Sequence, residues 1–147
     1  MKHKINALLL AATFAQMAVA GIPDSVYVKP VEAPKGGGLF LEWSADASFW
    51  KSVTDGRILG SDYGTWGGEK RLYAPCLAKG GDGLLVVVFQ VNDRVNQFAV
   101  TTTRDLVHWR PQDYPYMEGV AQCLEPVARF QGDELVVTFH DKEGRFY

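Results

Sequence analysis

Short apolar runs separated by turn residues dominate the chain from residue 25 onward. Val26-Tyr27-Val28 predicts a strand over Ser25–Lys29, and Pro30 to Gly38 reads as a Pro/Gly-rich loop. Strands are predicted over Leu39–Trp43 and, after a turn at Ala45-Asp46, over Phe49–Val53. Asp55 to Arg71 carries Gly56, Gly60, Gly64, Gly67 and Gly68 and reads as a loop. Leu72–Lys79 is extended, and Gly80-Gly81-Asp82-Gly83 is a hairpin turn. Leu84–Val91 is an unbroken apolar run, the pattern of a strand covered on both faces. Asn92-Asp93-Arg94 turns the chain again, into a β-branched strand over Gln97–Thr103. Leu124–Phe130 and Glu134–Phe139 repeat the pattern. Few segments after residue 20 show a helical period, so the fold class is all-β.

The pattern is also periodic. Pro75 and Pro126 are 51 residues apart, as are Gly81 and Gly132, Asp82 and Asp133, Leu84 and Leu135, and Val86 and Val137. A second mark recurs 59 residues apart: Ser44-x-Asp46-x-x-x-Trp50 matches Thr103-x-Asp105-x-x-x-Trp109. The larger spacing reflects an eight-residue excess between Trp50 and Pro75. A unit of about 50 residues with four short strands is the signature of a β-propeller blade. In such a unit the Asp caps a tight turn and the Trp packs between neighbours. A β-sandwich with two similar hairpins is the alternative.

The first twenty residues differ. Lys2, His3 and Lys4 precede an apolar Ile5–Ala12 stretch, and Ala18-Val19-Ala20 ends the segment on small residues. This reads as a bacterial secretory signal peptide over residues 1–20, against a buried N-terminal helix or a short anchor. The predicted mature domain is 21–147, periplasmic or secreted, with thirteen basic and seventeen acidic residues. That balance offers no polybasic surface for nucleic acid, and no membrane contact is expected once the signal is removed. An oxidising compartment permits a disulfide between Cys76 and Cys123, while two free core thiols fit as well.

The order of elements resembles glycoside hydrolase family 43. The resemblance is carried by Tyr73-Ala74-Pro75-Cys76-Leu77, by Asp82-Gly83 ahead of Leu84–Phe89, by Thr101-Thr102-Thr103-Arg104-Asp105-Leu106-Val107-His108-Trp109, and by Cys123-Leu124-Glu125-Pro126. It spans roughly residues 39–141. It implies a five-bladed β-propeller acting on arabinose- or xylose-containing polysaccharides, of which this chain would hold about two to three blades. Such glycosidases need one carboxylate to activate water and one carboxylic acid to protonate the leaving oxygen. In the family register Ala74 stands where the base Asp belongs, and Val127 replaces the supporting acidic residue. The general acid belongs to a following blade, near or beyond residue 147. Uncovered blade faces and unpaired edges lead to the expectation of a truncated product, a split gene or a self-associating unit.

Candidate residues follow from these positions. Glu125 falls in the slot of Ala74 one unit later, where it could face a ligand or simply flank a turn. Asp62 lies in the expanded loop, as a carboxylate for catalysis or as a turn cap. Tyr63, Trp66 and Tyr73, with Lys70 and Arg71, form a candidate sugar-binding group. Aromatic rings stack on the C–H face of a sugar, and Arg forks grip hydroxyls or carboxylates. The alternative for Trp66 is packing under its loop. The sequence holds no Cys/His zinc spacing, EF-hand loop, Walker loop or Gly-x-Ser-x-Gly elbow, so no cofactor or metal is expected. Three functional readings remain: a secreted glycosidase-like protein, a non-catalytic glycan-binding or remnant module, and, behind these, a structural β-sandwich involved in surface attachment.

Overall fold

The computed structural model describes residues 25–53, 59–60 and 70–147. The predicted signal peptide lies outside these residues. The strands are β1 (Tyr27–Glu32), β2 (Gly38–Ser44), β3 (Lys51–Ser52), β4 (Leu59–Gly60), β5 (Leu72–Lys79), β6 (Leu85–Val91), β7 (Phe98–Thr103), β8 (Leu124–Gln131) and β9 (Glu134–His140). Among the described residues there is no α-helix, so the chain is all-β. Every ladder is antiparallel, and the strands form three sheets in chain order. Unit one is β1-β2-β3, with β4 also on β2; unit two is β5-β6-β7; unit three is β8-β9.

β1 runs further than the composition implies, because Pro30 is a strand residue opposite Leu41. β1 is the edge of its sheet among the described residues, and an edge tolerates a residue without an N–H. The turn is confined to residues 33–37, closed by the Ala33 amide donating to the Gly38 carbonyl at 2.8 Å.

Ser44 and Thr103 end β2 and β7 in the same turn. The Asp46 carboxylate accepts from the Ser44 hydroxyl and from the amides of Ser48 and Phe49 at 2.8 and 3.1 Å. Asp105 accepts from the Thr103 hydroxyl and from the amides of Val107 and His108 at 2.9 and 2.7 Å. The residue after each Asp is left-handed, Ala47 at φ +62° and Leu106 at φ +63°. Hydrogen bonds hold both carboxyls below the usual carboxylate range, the Ser48 amide contributing most at Asp46 and the His108 ring, ahead of the amides, at Asp105.

The 51-residue alignment needs one correction. The β5–β6 hairpin closes over three residues, Gly81-Asp82-Gly83, with Gly83 at φ +81° and the Gly80 amide bonded to the Leu84 carbonyl. The β8–β9 hairpin closes over only two, Gly132-Asp133, with Gly132 at φ +61°. Both are standard ways of joining twisted strands. The extra residue shifts the second strands, which correspond 50 residues apart rather than 51. Leu84 does not match Leu135, nor Val86 Val137; instead Leu85-Val86-Val87-x-Phe89 matches Leu135-Val136-Val137-x-Phe139.

The units stack face to face. Leu39 of unit one packs with Leu72, Val87, Phe89, Val91 and Ala99 of unit two. The opposite face of unit two, with Ala78, Val86, Val88 and Phe98, packs on Cys123, Ala128 and Phe139 of unit three. β6 is therefore covered on both sides, which explains its lack of alternation. Each fully buried Val or Phe contributes about 1.5–3 kcal/mol. Trp109 packs against the first of these cores, as the repeat predicts. Cys76 and Cys123 are both free, and both lie at the second core.

Candidate functional site

β5 and β8 begin with the same irregularity. The ladder slips between Tyr73 and Cys76 and again between Leu124 and Val127. Pro75 and Pro126 occupy these bulges, where a missing N–H forfeits no ladder bond. The residue before each proline is left-handed: Ala74 at φ +45° and Glu125 at φ +48°.

A side chain from the preceding unit receives each displaced amide. The Ala74 N–H donates to Glu32 Oε2 at 2.9 Å, and the Glu125 N–H donates to Gln90 Oε1 at 3.2 Å. Glu32 and Gln90 hold corresponding places near the ends of β1 and β6. Gln90 also donates from Nε2 to the Asn92 carbonyl at 3.0 Å, so both ends of this buried amide are used. His140 holds the same place in β9, opposite Leu124 as Gln90 is opposite Tyr73.

Glu125 and His140 meet across unit three. The imidazole Nε2 lies 3.5 Å from Glu125 Oε2, and Nδ1 lies 2.8 Å from the Asp141 carbonyl oxygen. A carbonyl only accepts, so Nδ1 carries a proton. The Asp141 carbonyl, and after it the Glu125 carboxylate, raise the His140 pKa against the opposing effect of burial. The Glu125 side chain is 73% exposed, so its carboxylate is open to solvent and solutes. Ala74 presents a methyl group at the matching position, and the Glu32 carboxylate is engaged by the Ala74 amide.

The three described members of the predicted binding group, Lys70, Arg71 and Tyr73, have different surroundings. Lys70 is only 2% exposed, and its Nζ is 3.1 Å from Gln112 Oε1 and 2.9 Å from the Tyr114 hydroxyl. Tyr114 in turn donates to Gln112 Oε1 at 2.6 Å, so Lys70 joins a hydrogen-bonded group within the protein. Arg71 is exposed, and its backbone pairs with Asn92 through both its amide and its carbonyl. Tyr73 is half-buried beside the 34–36 turn; a Cβ on Gly36 would meet its ring at 2.8 Å, so only glycine fits there. Asp62, Tyr63 and Trp66 lie outside the described residues. Val127 is exposed on β8.

Sequence reasoning did not single out Glu32, Gln90 and His140. Their correspondence becomes visible only when the second strands are aligned with the one-residue shift. A separate groove is lined by Leu84, Thr102, Thr103, Arg104, His108 and Arg110. Among the described residues, no group of three His, Cys, Asp or Glu side chains is placed to hold a metal, and no helix is long and apolar enough to cross a membrane. No protein-family model matches the chain, no curated protein matches it, and no solved structure matches its fold.

Proposed function

We propose that this chain is a set of β-propeller-like blades from a glycan-processing lineage resembling glycoside hydrolase family 43, and that it binds oligosaccharide without cleaving it. The blade reading draws support from the three antiparallel units, which succeed one another in chain order and stack through alternate faces. The observation that carries the functional reading is the pair of left-handed bulges. They hold a methyl group at Ala74 and an exposed carboxylate at Glu125 in equivalent places. Hydrolysis through two opposed carboxyl groups needs a carboxylate base at the Ala74 position. One exposed carboxylate beside an imidazole instead offers hydrogen-bond acceptors and donors to sugar hydroxyls.

The test combines two assays on the purified chain with arabinan, arabinoxylan, xylan and galactan. The expected result is no release of reducing sugar, together with retarded migration in gels containing at least one of these glycans. Glu125→Ala should reduce the retardation. Release of sugar that disappears in Glu125→Ala would overturn the binding reading in favour of an enzyme. Failure to retard in any glycan would reject the glycan reading altogether.

A further inference from the structure

The contact between consecutive units follows one rule. In unit two the cross-strand pairs Cys76–Val88 and Ala78–Val86 face unit three, while Val87 and Phe89 face unit one. In unit three, Val137 and Phe139 face unit two, as their counterparts Val87 and Phe89 face unit one. The remaining face of unit three is then formed by Val127–Thr138 and Arg129–Val136, the counterparts of Cys76–Val88 and Ala78–Val86. It repeats the face with which unit two binds unit three. Yet Val127 is 52% exposed, and Arg129 and Thr138 are exposed with it.

Unit one carries the complementary face, partly covered, with Tyr27 as its exposed residue. Its Val28–Trp43 and Pro30–Leu41 pairs lie on the side of Leu39, toward unit two. Tyr27, Lys29, Val31 and Phe40 lie on the other side, where Lys29 and Val31 correspond to Val87 and Phe89. Tyr27 there is 58% exposed. On the unit-one face the Trp50 ring lies over the Lys29 ammonium at 4.1 Å, and on the unit-three face Phe146 lies against His140, 5.9 Å between ring centroids.

We propose that the Val127–Thr138 face of one copy of this chain docks on the Tyr27–Phe40 face of a second copy, continuing head to tail the contact that the chain already makes twice internally. A contact between two different faces leaves one of each free on every pair, so association proceeds past the dimer to a ring or an open chain. The intermolecular contact differs from the internal ones in its charges. Arg129 stands in place of Ala78, and the Lys29–Glu42 ion pair, at 3.2 Å, in place of Val87 and Thr101. It is therefore weaker than the internal contacts, reversible and sensitive to salt. This inference rests on unit packing alone and is independent of glycan binding.

Sedimentation velocity over a range from low micromolar to several hundred micromolar chain tests it. The wild type should gain mass with concentration beyond the dimer. Val127→Arg and Tyr27→Arg, both at exposed positions, should each stay monomeric with association weakened at least about tenfold. Because each variant keeps one intact face, their equimolar mixture should give a one-to-one dimer and nothing larger. A wild type that is monomeric throughout overturns the proposal. So does assembly that Tyr27→Arg leaves intact, since that would mean the unit-three face pairs with itself. If circular dichroism shows that either arginine variant has unfolded, Thr138→Arg or Tyr27→Glu takes its place under the same criteria.

Discussion

Ala74 and Glu125 adopt the same left-handed backbone, at φ +45° and +48°, and each donates its amide to a side chain of the unit before it. The acceptors, Glu32 and Gln90, thereby tie consecutive units together at the strand ends. The bulge is thus a joint between units as well as a local feature of one strand.

Gln90→Ala should destabilise the protein by about 1–3 kcal/mol, because it strands the Glu125 amide and removes the donor to Asn92. Glu32→Ala should cost less, about 1 kcal/mol, since this side chain is exposed and water can replace it. Urea unfolding monitored by tryptophan fluorescence gives both values; equal losses would contradict this ranking.

Ala74→Gly removes a Cβ from a left-handed position and should raise stability by up to about 1 kcal/mol. The same change at Ala78, a strand position pointing into the second core, should lower it. Thermal melts of the two variants should therefore shift in opposite directions.

Val88 and Thr138 occupy equivalent places, one fully buried against unit three and one exposed. Val88→Thr should cost about 1–3 kcal/mol by burying a hydroxyl in an apolar contact. Thr138→Val should stay within about 0.5 kcal/mol of the wild type. Reading both from the same denaturation series checks whether burial or sequence position controls the effect.

Cys123 is buried at the second core, and burial pushes its thiol pKa up to about 11. It should resist thiol reagents in the native protein at neutral pH and react promptly in denaturant. Cys76 is less buried. Counting modified thiols by mass spectrometry before and after unfolding tests this; early labelling of Cys123 would place it at the surface.

Asp141 is buried, and burial opposes its ionisation. The Arg145 amide and guanidinium and the Tyr147 hydroxyl outweigh that effect and hold its pKa at about 2. Its contribution to stability is therefore complete above the unfolded carboxylate pKa and is lost as pH falls through about 2. Asp141→Asn should lower stability at neutral pH and flatten its decline on acidification. A parallel decline in wild type and variant would remove Asp141 from the acid response.

The strands and their turns were legible because they depend on local chemistry. Runs such as Leu85–Val91 bounded by Gly and Asp specify strands, and Ser44-x-Asp46 and Thr103-x-Asp105 specify turns through bonds only two or three residues long. Pro75 and Pro126 marked equivalent positions, but their left-handed neighbours and the bulges appear only with the paired strand in place. The one-residue shift between the second strands was hidden for a similar reason. Identical glycines and aspartates build a three-residue loop in one hairpin and a two-residue loop in the other.

Local pattern also left the candidate site incomplete. In sequence Lys70 reads as part of a sugar-binding group, and only packing brings Gln112 and Tyr114 onto its ammonium group. Glu125 was recognisable from its spacing to Ala74, whereas His140 became its neighbour only when β9 paired with β8. Leu-Val-Val-x-Phe occurs twice, covered on both faces in β6 and partly exposed in β9. The sequence by itself determined the strand class, the turns and the period, since these follow from each residue's own backbone preference and its nearest neighbours. The tertiary structure decided which copy of a repeated strand is buried and which side chains meet, because both depend on what the neighbouring unit places against it.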